Sequence, residues 1–239
     1  MKTSNLDKFM MLFFPKRCAC CGKVIYPNMV LCGECDVESC RVPYPKCNKC
    51  GQQESMCKCS AESYSFDRFI APFYYEGPIR ECIMKYKYSG FVDNGRFLAL
   101  EMVKAFEEEY VFDKPDLIVS VPMRKRRKRK RGFSQTDMLA KYISEETEIE
   151  FKKNLLIKVK DTPPQVGLDA IQRRSNLIGA FEVAKGVDLK GRTVIVCDDN
   201  KTTGSTLSEC SKALKKAGAK TVVALTAAIT KNGFRGETD

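Results

Sequence analysis

The sequence predicts an α/β protein with a doubly wound parallel sheet, preceded by a small cysteine-rich domain. Apolar strands alternate with helical patterns between residues 66 and 239, as they do in doubly wound folds. Ten of the 13 cysteines lie between Cys18 and Cys59. A chain of 239 residues is long enough for one ordinary domain and one small domain. We therefore divide the chain into residues 1–15, 16–62 and 66–239.

The composition excludes several classes of protein. Apolar residues make up 44% of the chain, which supports a core, and no stretch reaches the length of a transmembrane helix. Asp7 and Lys8 interrupt the apolar segment 6–14, and no small-residue cleavage site follows it, so we expect no signal peptide. The expected compartment is the cytoplasm. The chain has no histidine, which excludes Ser–His and Cys–His nucleophiles.

Residues 1–15 are predicted to form a short amphipathic helix that ends at Pro15. Its apolar side carries Leu6, Phe9, Met10 and Phe13. We expect this side to pack on the rest of the protein, because the segment has few of the basic residues that favour a membrane surface.

The cysteine spacing between residues 16 and 62 indicates metal binding. In a reducing cytoplasm such clustering is more typical of metal sites than of disulfides. The predicted ligands are Cys18, Cys21, Cys32, Cys35, Cys47, Cys50, Cys57 and Cys59. Four thiolates per ion satisfy tetrahedral zinc and leave no open position, so the zinc would be structural.

Three questions about the metal sites stay open from the spacing alone. Cys57-x-Cys59 departs from the two-residue spacing of the other pairs, so one zinc or two are possible. Cys20 and Cys40 are surplus, and Cys20 competes with Cys21 as a ligand. An iron–sulfur cluster is a further alternative, although separate knuckles favour zinc.

The elements of residues 66–239 follow in order from hydrophobic pattern and capping signals. The predicted strands cover residues 69–75, 115–122, 154–160, 181–184, 194–196 and 221–229. The predicted helices begin at Pro78, at Asn94 as a cap, at Ser134 or Gln135, at Asp169 and just before Leu207.

The strand 194–196 and the residues after it predict a sugar-phosphate site. Asp198 and Asp199 are placed where this strand is expected to end, and paired carboxylates can accept hydrogen bonds from two vicinal hydroxyls. A helix follows with Leu207, Cys210, Leu214 and Ala217 on one face, and its first turn favours an anion. The small polar loop between them consists of Thr202, Thr203, Gly204, Ser205 and Thr206.

The net charge of +11 is concentrated in one segment. Arg124 to Arg131 contains eight basic residues in succession, so the remaining residues carry only +3. The segment is either a solvated loop or a site for pyrophosphate or nucleic acid. No aromatic residue lies between the cations to stack on bases.

These motifs together resemble a known family. Residues 198–207 resemble the phosphoribosyl pyrophosphate (PRPP) motif of type I phosphoribosyltransferases, and the chain resembles the ComF family of competence-associated, amidophosphoribosyltransferase-like proteins almost end to end. The resemblance implies a type I phosphoribosyltransferase-like sheet preceded by a double zinc ribbon. The other residues that carry it are 85–90, Val121-Pro122 with 131–135, Gln165, Arg174 and Asn176.

The resemblance also implies roles for residues of this chain. Asp198 and Asp199 would hold the ribose hydroxyls, residues 202–206 the 5′-phosphate, and Mg²⁺ would bridge the ribose hydroxyls and the pyrophosphate. Gln165 and Arg174 would close the site. The candidates for the pyrophosphate loop are Arg124, Lys125, Arg131 and Lys201.

This chain departs from the family pattern at three places. Asn200-Lys201 stands where the family has apolar or aromatic residues, Ser134 replaces an Asn, and the basic run is uninterrupted.

Two functions are therefore expected. The first is transfer of a phosphoribosyl group from PRPP to a nitrogen nucleophile, in a DNA-uptake context that only the resemblance supplies. The second is a non-catalytic protein whose zinc ribbons bind single-stranded DNA or a competence helicase-type partner, with the transferase fold as ligand sensor.

Overall fold

A computed structural model of the protein describes residues 15–60, 64–88, 92–110, 113–123, 133–160 and 177–231. The predicted N-terminal helix, except Pro15, lies outside these residues, and so does the predicted helix from Asp169.

The described residues form one large parallel sheet and one small antiparallel sheet. The strands are β1 (Arg68–Ile70), β2 (Phe73–Tyr74), β3 (Leu117–Ser120), β4 (Glu150–Phe151), β5 (Leu156–Lys158), β6 (Phe181–Val183), β7 (Thr193–Lys201) and β8 (Thr221–Ile229). The large sheet has the order β1-β8-β7-β3-β4, with β2 also paired to β8, and every pair in it is parallel. The predicted parallel sheet is confirmed, whereas the antiparallel pairing of β5 with β6 was not anticipated.

Helices cover both faces of the large sheet. They are α1 (Gly77–Tyr88), α2 (Val92–Glu109), α3 (Gln135–Thr147) and α4 (Ser205–Lys216). Ile195 of β7 packs with α1, α2 and α3, whereas Val194 and Val196 pack with α4. Because both faces are buried, the strand is apolar at successive positions instead of alternating. This arrangement confirms the doubly wound fold.

Two helix starts test the capping predictions. The side chain of Ser134 accepts a hydrogen bond from the backbone N–H of Asp137 and caps α3, as predicted. The prediction that Asn94 caps α2 was wrong, because α2 already begins at Val92. The Asn94 side chain instead donates to the carbonyl of Cys82 in α1, at 3.4 Å, and joins the two helices.

The cysteine-rich region packs directly on the sheet domain. It has little regular structure beyond two short 3-10 turns, Glu38–Cys40 and Glu54–Met56. Cys18, Ala19 and Cys20 belong to the same apolar core as α1 and α2. The backbone N–H of Val42 donates to the carbonyl of Pro72 between β1 and β2. The two parts therefore share a core instead of meeting at a linker.

Among the helices of the described residues, none has the length and the apolar character needed to cross a membrane.

Candidate phosphate and metal sites

The acid pair lies inside β7, not after it. Asp198 is paired with Thr226 of β8, and the ladder continues to Lys201 opposite Ile229. The expectation that the strand ends at the acids was wrong, because β8 is as long as β7 and continues the pairing. The two carboxylates are therefore held by a rigid strand next to the loop that follows it.

Residues 202–206 form a cleft between β7 and α4. The cleft is open to solvent, and the space in and above it amounts to about 220 Å³. The hydroxyl oxygens of Thr203 and Ser205 lie 2.9 Å apart, and the backbone N–H of Ser205 donates to Thr203 Oγ1 at 3.4 Å. The lining residues are Asp198, Asn200, Lys201, Thr202, Thr203, Gly204, Ser205, Thr206 and Leu207. Asp198 and the predicted hydroxyl groups thus lie together at the positive end of the α4 dipole, whereas Asp199 is not among the lining residues.

Burial of one face anchors α4 at this cleft. Leu207, Cys210 and Leu214 are buried on the sheet, as the spacing predicts. Gly204 precedes the helix with a φ of 79°, which a glycine adopts at low cost. A Cβ at this position would lie 2.7 Å from Cε1 of Tyr64, so the loop also requires a residue without a side chain.

A lysine that sequence reasoning did not place in the site contacts the acid pair. Lys87, near the end of α1, forms an ion pair with Asp199, with Nζ and Oδ1 2.9 Å apart. Their side chains are 18% and 12% exposed, so water screens the pair only weakly. Lys87 lies within the segment 85–90 that carries the family resemblance, which was the available signal. Its contact with Asp199 arises only from the fold.

The acid pair shifts the protonation of its neighbours. Burial, and then the charge of Asp199, raise the pKa of Asp198 to about 8. The backbone N–H of Asp199 donates to Asp198 Oδ1 at 2.9 Å and opposes this rise. Burial lowers the pKa of Lys87, but the Asp199 carboxylate outweighs it, so the pKa of Lys87 is raised overall. At neutral pH, Asp198 therefore holds a proton and Asp199 is paired with Lys87.

Gln135 fixes the end of α1 that carries Lys87. Its buried amide donates to the carbonyl of Lys87 at 3.2 Å, and the hydroxyl of Tyr86 donates to the carbonyl of Gln135 at 2.7 Å. Tyr86 is fully buried. The start of α3 thus holds Lys87 in position.

Lys201 lines the phosphate cleft, but its amine is bonded to Cys50. Its Nζ donates to the carbonyl of Cys50 at 3.1 Å and lies 4.9 Å from the ring centroids of both Tyr64 and Phe69. Burial lowers the pKa of Lys201 to about 8. In the free protein the amine is engaged by Cys50, and a role of Lys201 as a pyrophosphate ligand stays a prediction.

The other candidates for the pyrophosphate loop and for closure of the site are Arg124, Lys125, Arg131, Gln165 and Arg174. They lie outside the described residues, and their roles stay predictions.

The eight predicted ligand cysteines form two separate clusters of four. Within each cluster the sulfur atoms lie within 4.8 Å of one another. Four neighbouring sulfur pairs are separated by 3.4–3.7 Å. Tetrahedral zinc with bonds of about 2.3 Å requires sulfur atoms roughly 3.8 Å apart, so the residues fit the ion. The first cluster holds Cys18, Cys21, Cys32 and Cys35, and the second holds Cys47, Cys50, Cys57 and Cys59.

The two clusters share one local design. The backbone N–H groups of Gly22 and Gly51 donate to the carbonyls of Cys18 and Cys47, the first cysteines of their clusters. Burial opposes ionisation of Cys18, but the backbone hydrogen bonds of its knuckle lower its pKa to about 6. Burial and the neighbouring thiols raise the pKa of Cys50 to about 11. A bound cation would relieve this repulsion between thiolates.

The surplus cysteines do not join either cluster. Cys20 is fully buried in the apolar core beside Cys82, which settles its competition with Cys21 in favour of Cys21. Cys40 is buried against the start of α1, where its thiol lies 3.5 Å from the carbonyl of Glu76. All 13 cysteines belong to the described residues, and each is a free thiol.

Comparison with known proteins identifies relatives over most of the chain. Competence protein F of Haemophilus influenzae is 32% identical over 224 residues, which are 89% of this chain and 96% of that protein. DNA utilization protein YhgH of Escherichia coli O157:H7 is 29% identical over 86% of each chain. Competence protein ComFC of Streptococcus pneumoniae is 27% identical over 80% of this chain and 84% of that protein. No protein-family model matches the sequence.

The solved structures similar to this chain have low scores. An allosteric regulatory enzyme of purine biosynthesis matches 61% of this chain and 30% of its own at 21% identity and a TM-score of 0.40. A hypoxanthine phosphoribosyltransferase of Staphylococcus aureus matches 62% of this chain and 70% of its own at 13% identity and a TM-score of 0.37. At such scores the likeness supports no inference about activity.

The sequence relatives carry more weight than the solved structures, because they extend over nearly all of both chains. The two four-cysteine clusters fit the double zinc ribbon that the resemblance implies. With 32% identity to competence protein F over almost its full length, the chain belongs to the ComF family of competence proteins.

Proposed function

We propose that the chain binds PRPP and transfers its phosphoribosyl group to a nitrogen nucleophile, with release of pyrophosphate. The observation that carries the proposal is the cleft at the end of β7. There an acid pair, a hydroxyl-rich loop and the start of α4 lie within the ten residues from Asp198 to Leu207, and Lys87 contacts the acid pair.

Binding would use the two halves of the cleft differently. The hydroxyls of Thr203 and Ser205, with the backbone N–H groups and the dipole of α4, suit a 5′-phosphate. The carboxylates of Asp198 and Asp199 suit the vicinal ribose hydroxyls. Ligand hydroxyls at Asp199 would compete with Lys87, which occupies that carboxylate in the free protein.

The proposed chemistry breaks one bond and forms another at the sugar. A lone pair of the nucleophile forms a nitrogen–carbon bond at C1 of the ribose. The carbon–oxygen bond to pyrophosphate breaks, its electron pair leaves with pyrophosphate, and the nucleophile loses a proton to solvent. The acid pair would stabilise the positive charge that develops on the sugar. When ligand hydroxyls displace Lys87 from Asp199, the positive charge of Lys87 would stabilise the negative charge of the departing pyrophosphate.

Mg²⁺ fits the donor set of this site. Carboxylate oxygens are the ligands that Mg²⁺ prefers, and two of them lie on β7 at Asp198 and Asp199. When bound, the ion supplies positive charge to the pyrophosphate oxygens. Zinc fits the two cysteine clusters, where four thiolates leave no open position, so its role would be structural.

Calorimetry with PRPP and Mg²⁺ tests the proposal. We expect the native chain to bind and the variant Asp198→Asn with Asp199→Asn to lose binding. Lys212→Met, at an exposed lysine on α4, is the control for handling and folding. If the native chain shows no heat of binding with PRPP, the proposal fails. Product analysis with candidate nitrogen nucleophiles then separates turnover from binding alone.

The names of the relatives favour a second function in DNA handling. One relative is named competence protein F, and another is named DNA utilization protein YhgH. We propose that this chain acts in the same context, with the basic run Arg124 to Arg131 as the DNA contact, although the run lies outside the described residues.

A salt titration of single-stranded DNA binding tests the second function. Eight cations that neutralise phosphates would give a steep loss of affinity with salt. Neutralising Arg126 to Arg129 should lower the slope of log affinity against log salt by about 3. An unchanged slope would remove this segment from DNA contact.

A further inference from the structure

The second cysteine cluster lies against the phosphate loop, and Lys201 joins the two. Lys201 is the last residue of β7 and directly precedes Thr202. It is only 4% exposed, and its Nζ donates to the carbonyl of Cys50, a member of the cluster. The rings of Tyr64 and Phe69 enclose the amine, each at 4.9 Å from its centroid. The amine is thus held between the loop and the cluster.

Three further hydrogen bonds reinforce this junction. The side chain of Gln52, only 1% exposed, donates to the carbonyl of Thr230 at 2.8 Å. The backbone N–H of Thr230 in turn donates to the carbonyl of Lys201 at 2.9 Å. The backbone N–H of Phe69 donates to the carbonyl of Asn48 at 2.8 Å. The knuckle of residues 47–52 is therefore bonded to the ends of β7 and β8.

On the other side, the same lysine supports the phosphate loop. A Cβ at Gly204 would lie 2.9 Å from Cε of Lys201 and 2.7 Å from Cε1 of Tyr64. The stem of Lys201 and the ring of Tyr64 therefore form the floor beneath Gly204. Displacement of the knuckle would move the Lys201 stem and the Tyr64 ring. The loop of residues 202–206, which would hold phosphate, packs on these two groups.

Electrostatic attraction strengthens the contact between Lys201 and the second cysteine cluster when a metal is bound. Four thiolates around a divalent cation carry a net charge of −2, and the buried amine of Lys201 lies beside them. With the cluster empty, the amine loses the anionic partner that a metal-loaded cluster provides. The first cluster has a different neighbour, since Lys85 of α1 donates to the carbonyl of Cys20 at 3.1 Å.

We propose that metal binding at the second cluster and phosphate binding at residues 202–206 are thermodynamically coupled, with Lys201 as the positioning residue. The identity of the phosphate ligand, PRPP, rests on the proposed function above. Because coupling between two sites is reciprocal, the metal should tighten PRPP binding by the factor by which PRPP tightens metal binding.

The experiment measures both directions on the full-length, zinc-loaded chain. Calorimetry gives the PRPP affinity with Mg²⁺ present, and a chromogenic chelator gives the rate of zinc release with and without PRPP. The variant Lys201→Met keeps an unbranched side chain of similar length and removes the charge. Lys216→Met, at an exposed lysine of α4, is the matched control.

We expect PRPP to slow the release of one zinc ion from the native chain. Lys201→Met should bind PRPP about tenfold more weakly and lose this slowing, within the usual range of coupling between sites. Lys216→Met should behave like the native chain.

The possible failures are distinguishable. If the native chain binds PRPP but PRPP does not change its rate of zinc release, the coupling is overturned while the proposed function stands. This comparison uses only the native chain and therefore does not depend on the folding of a variant. If PRPP slows zinc release from the native chain and Lys201→Met equals the native chain in both measurements, the assignment of Lys201 as the positioning residue is overturned. If Lys201→Met weakens PRPP binding while PRPP still slows its zinc release as in the native chain, Lys201 acts locally and is not the coupling residue. If the native chain does not bind PRPP, the proposed function fails, and the coupling fails with it.

Discussion

Two adjacent carboxyl groups and one lysine set the electrostatics of the cleft. Lys87 neutralises Asp199, while burial and the charge of Asp199 raise the pKa of Asp198 to about 8. The free protein therefore limits the negative charge of the acid pair by an ion pair and by a proton. A ligand that brings Mg²⁺ and hydroxyls would replace both.

Lys87→Met should destabilise the free protein. The substitution leaves Asp199, which is 12% exposed on its side chain, without its cation and beside a second carboxyl group. Breaking a buried ion pair in this way costs roughly 2–4 kcal/mol. Urea unfolding measures the loss, and Lys141→Met, in the exposed pair with Glu145, should cost less than about 1 kcal/mol.

A double substitution checks that the effect comes from the pair. Lys87→Met combined with Asp199→Asn removes both charges, so much of the stability should return. If the double variant is as unstable as the sum of the two single variants, the loss reflects packing and not the ion pair.

Asp198→Asn should stabilise the protein in a pH-dependent way. The pKa of Asp198 is higher in the folded protein, about 8, than its ordinary value of 3.8. The folded state therefore binds more protons between these values, and stability falls as pH rises through this window. Asparagine has no proton to lose, so its gain in melting temperature over the native chain should be larger at pH 9 than at pH 5. An equal difference at both pH values would contradict the raised pKa.

At the scale of elements, the site depends on the turn between β7 and α4. The turn is tight because Gly204 has a φ of 79° and lies against the ring of Tyr64. Both the positive φ and the close contact with Tyr64 therefore require glycine at position 204. A second glycine with the same φ but no close neighbour allows the two effects to be measured separately.

Gly204→Ala should be more destabilising than Gly186→Ala. Both glycines have a φ near 80°, at 79° and 80°, but a Cβ at Gly186 would meet nothing within 4 Å. The two variants share the conformational cost, and Gly204→Ala adds about 1–3 kcal/mol from the clash with Tyr64. Thermal unfolding measures the difference, and equal losses would show that the ring moves away freely. PRPP binding should weaken only in Gly204→Ala.

At the scale of the whole molecule, the cysteine-rich region is part of the same folded body as the sheet. It buries little apolar surface of its own, so metal binding would supply folding energy that its core does not. Its contacts are divided, since the first cluster adjoins α1 and the second adjoins the ends of β7 and β8.

Metal analysis should give two zinc ions per native chain and one for Cys57→Ser. The reason is that both clusters hold four sulfur atoms within 4.8 Å, and removal of one ligand opens the second site. Zinc content by mass spectrometry of the folded protein measures this. A native chain with a single zinc would discard the second cluster, and an iron signal would favour the alternative metal. Ser39→Ala, at an exposed serine outside both clusters, is the control.

Local chemistry made much of the fold predictable. The apolar strand 221–229, the cap at Ser134 and the cysteine knuckles each depend on neighbours in sequence, and the structure places them where the pattern predicts. The prediction for Asn94 was wrong because a tertiary hydrogen bond to Cys82 uses the side chain that a cap would need. The acids of β7 were placed beyond the strand because pairing with β8, which a single strand does not reveal, extends it.

By itself, the sequence determined the class of fold, the eight cysteines of the two clusters and the acid–hydroxyl segment 198–206, because each follows from residue types at short, regular spacing. The tertiary structure alone decided which groups from distant parts of the chain meet there. Lys87 reaches Asp199 across 112 residues because α1 ends beside β7. The amine of Lys201 donates to the carbonyl of Cys50, 151 residues away, because the second cysteine cluster packs on the end of β7.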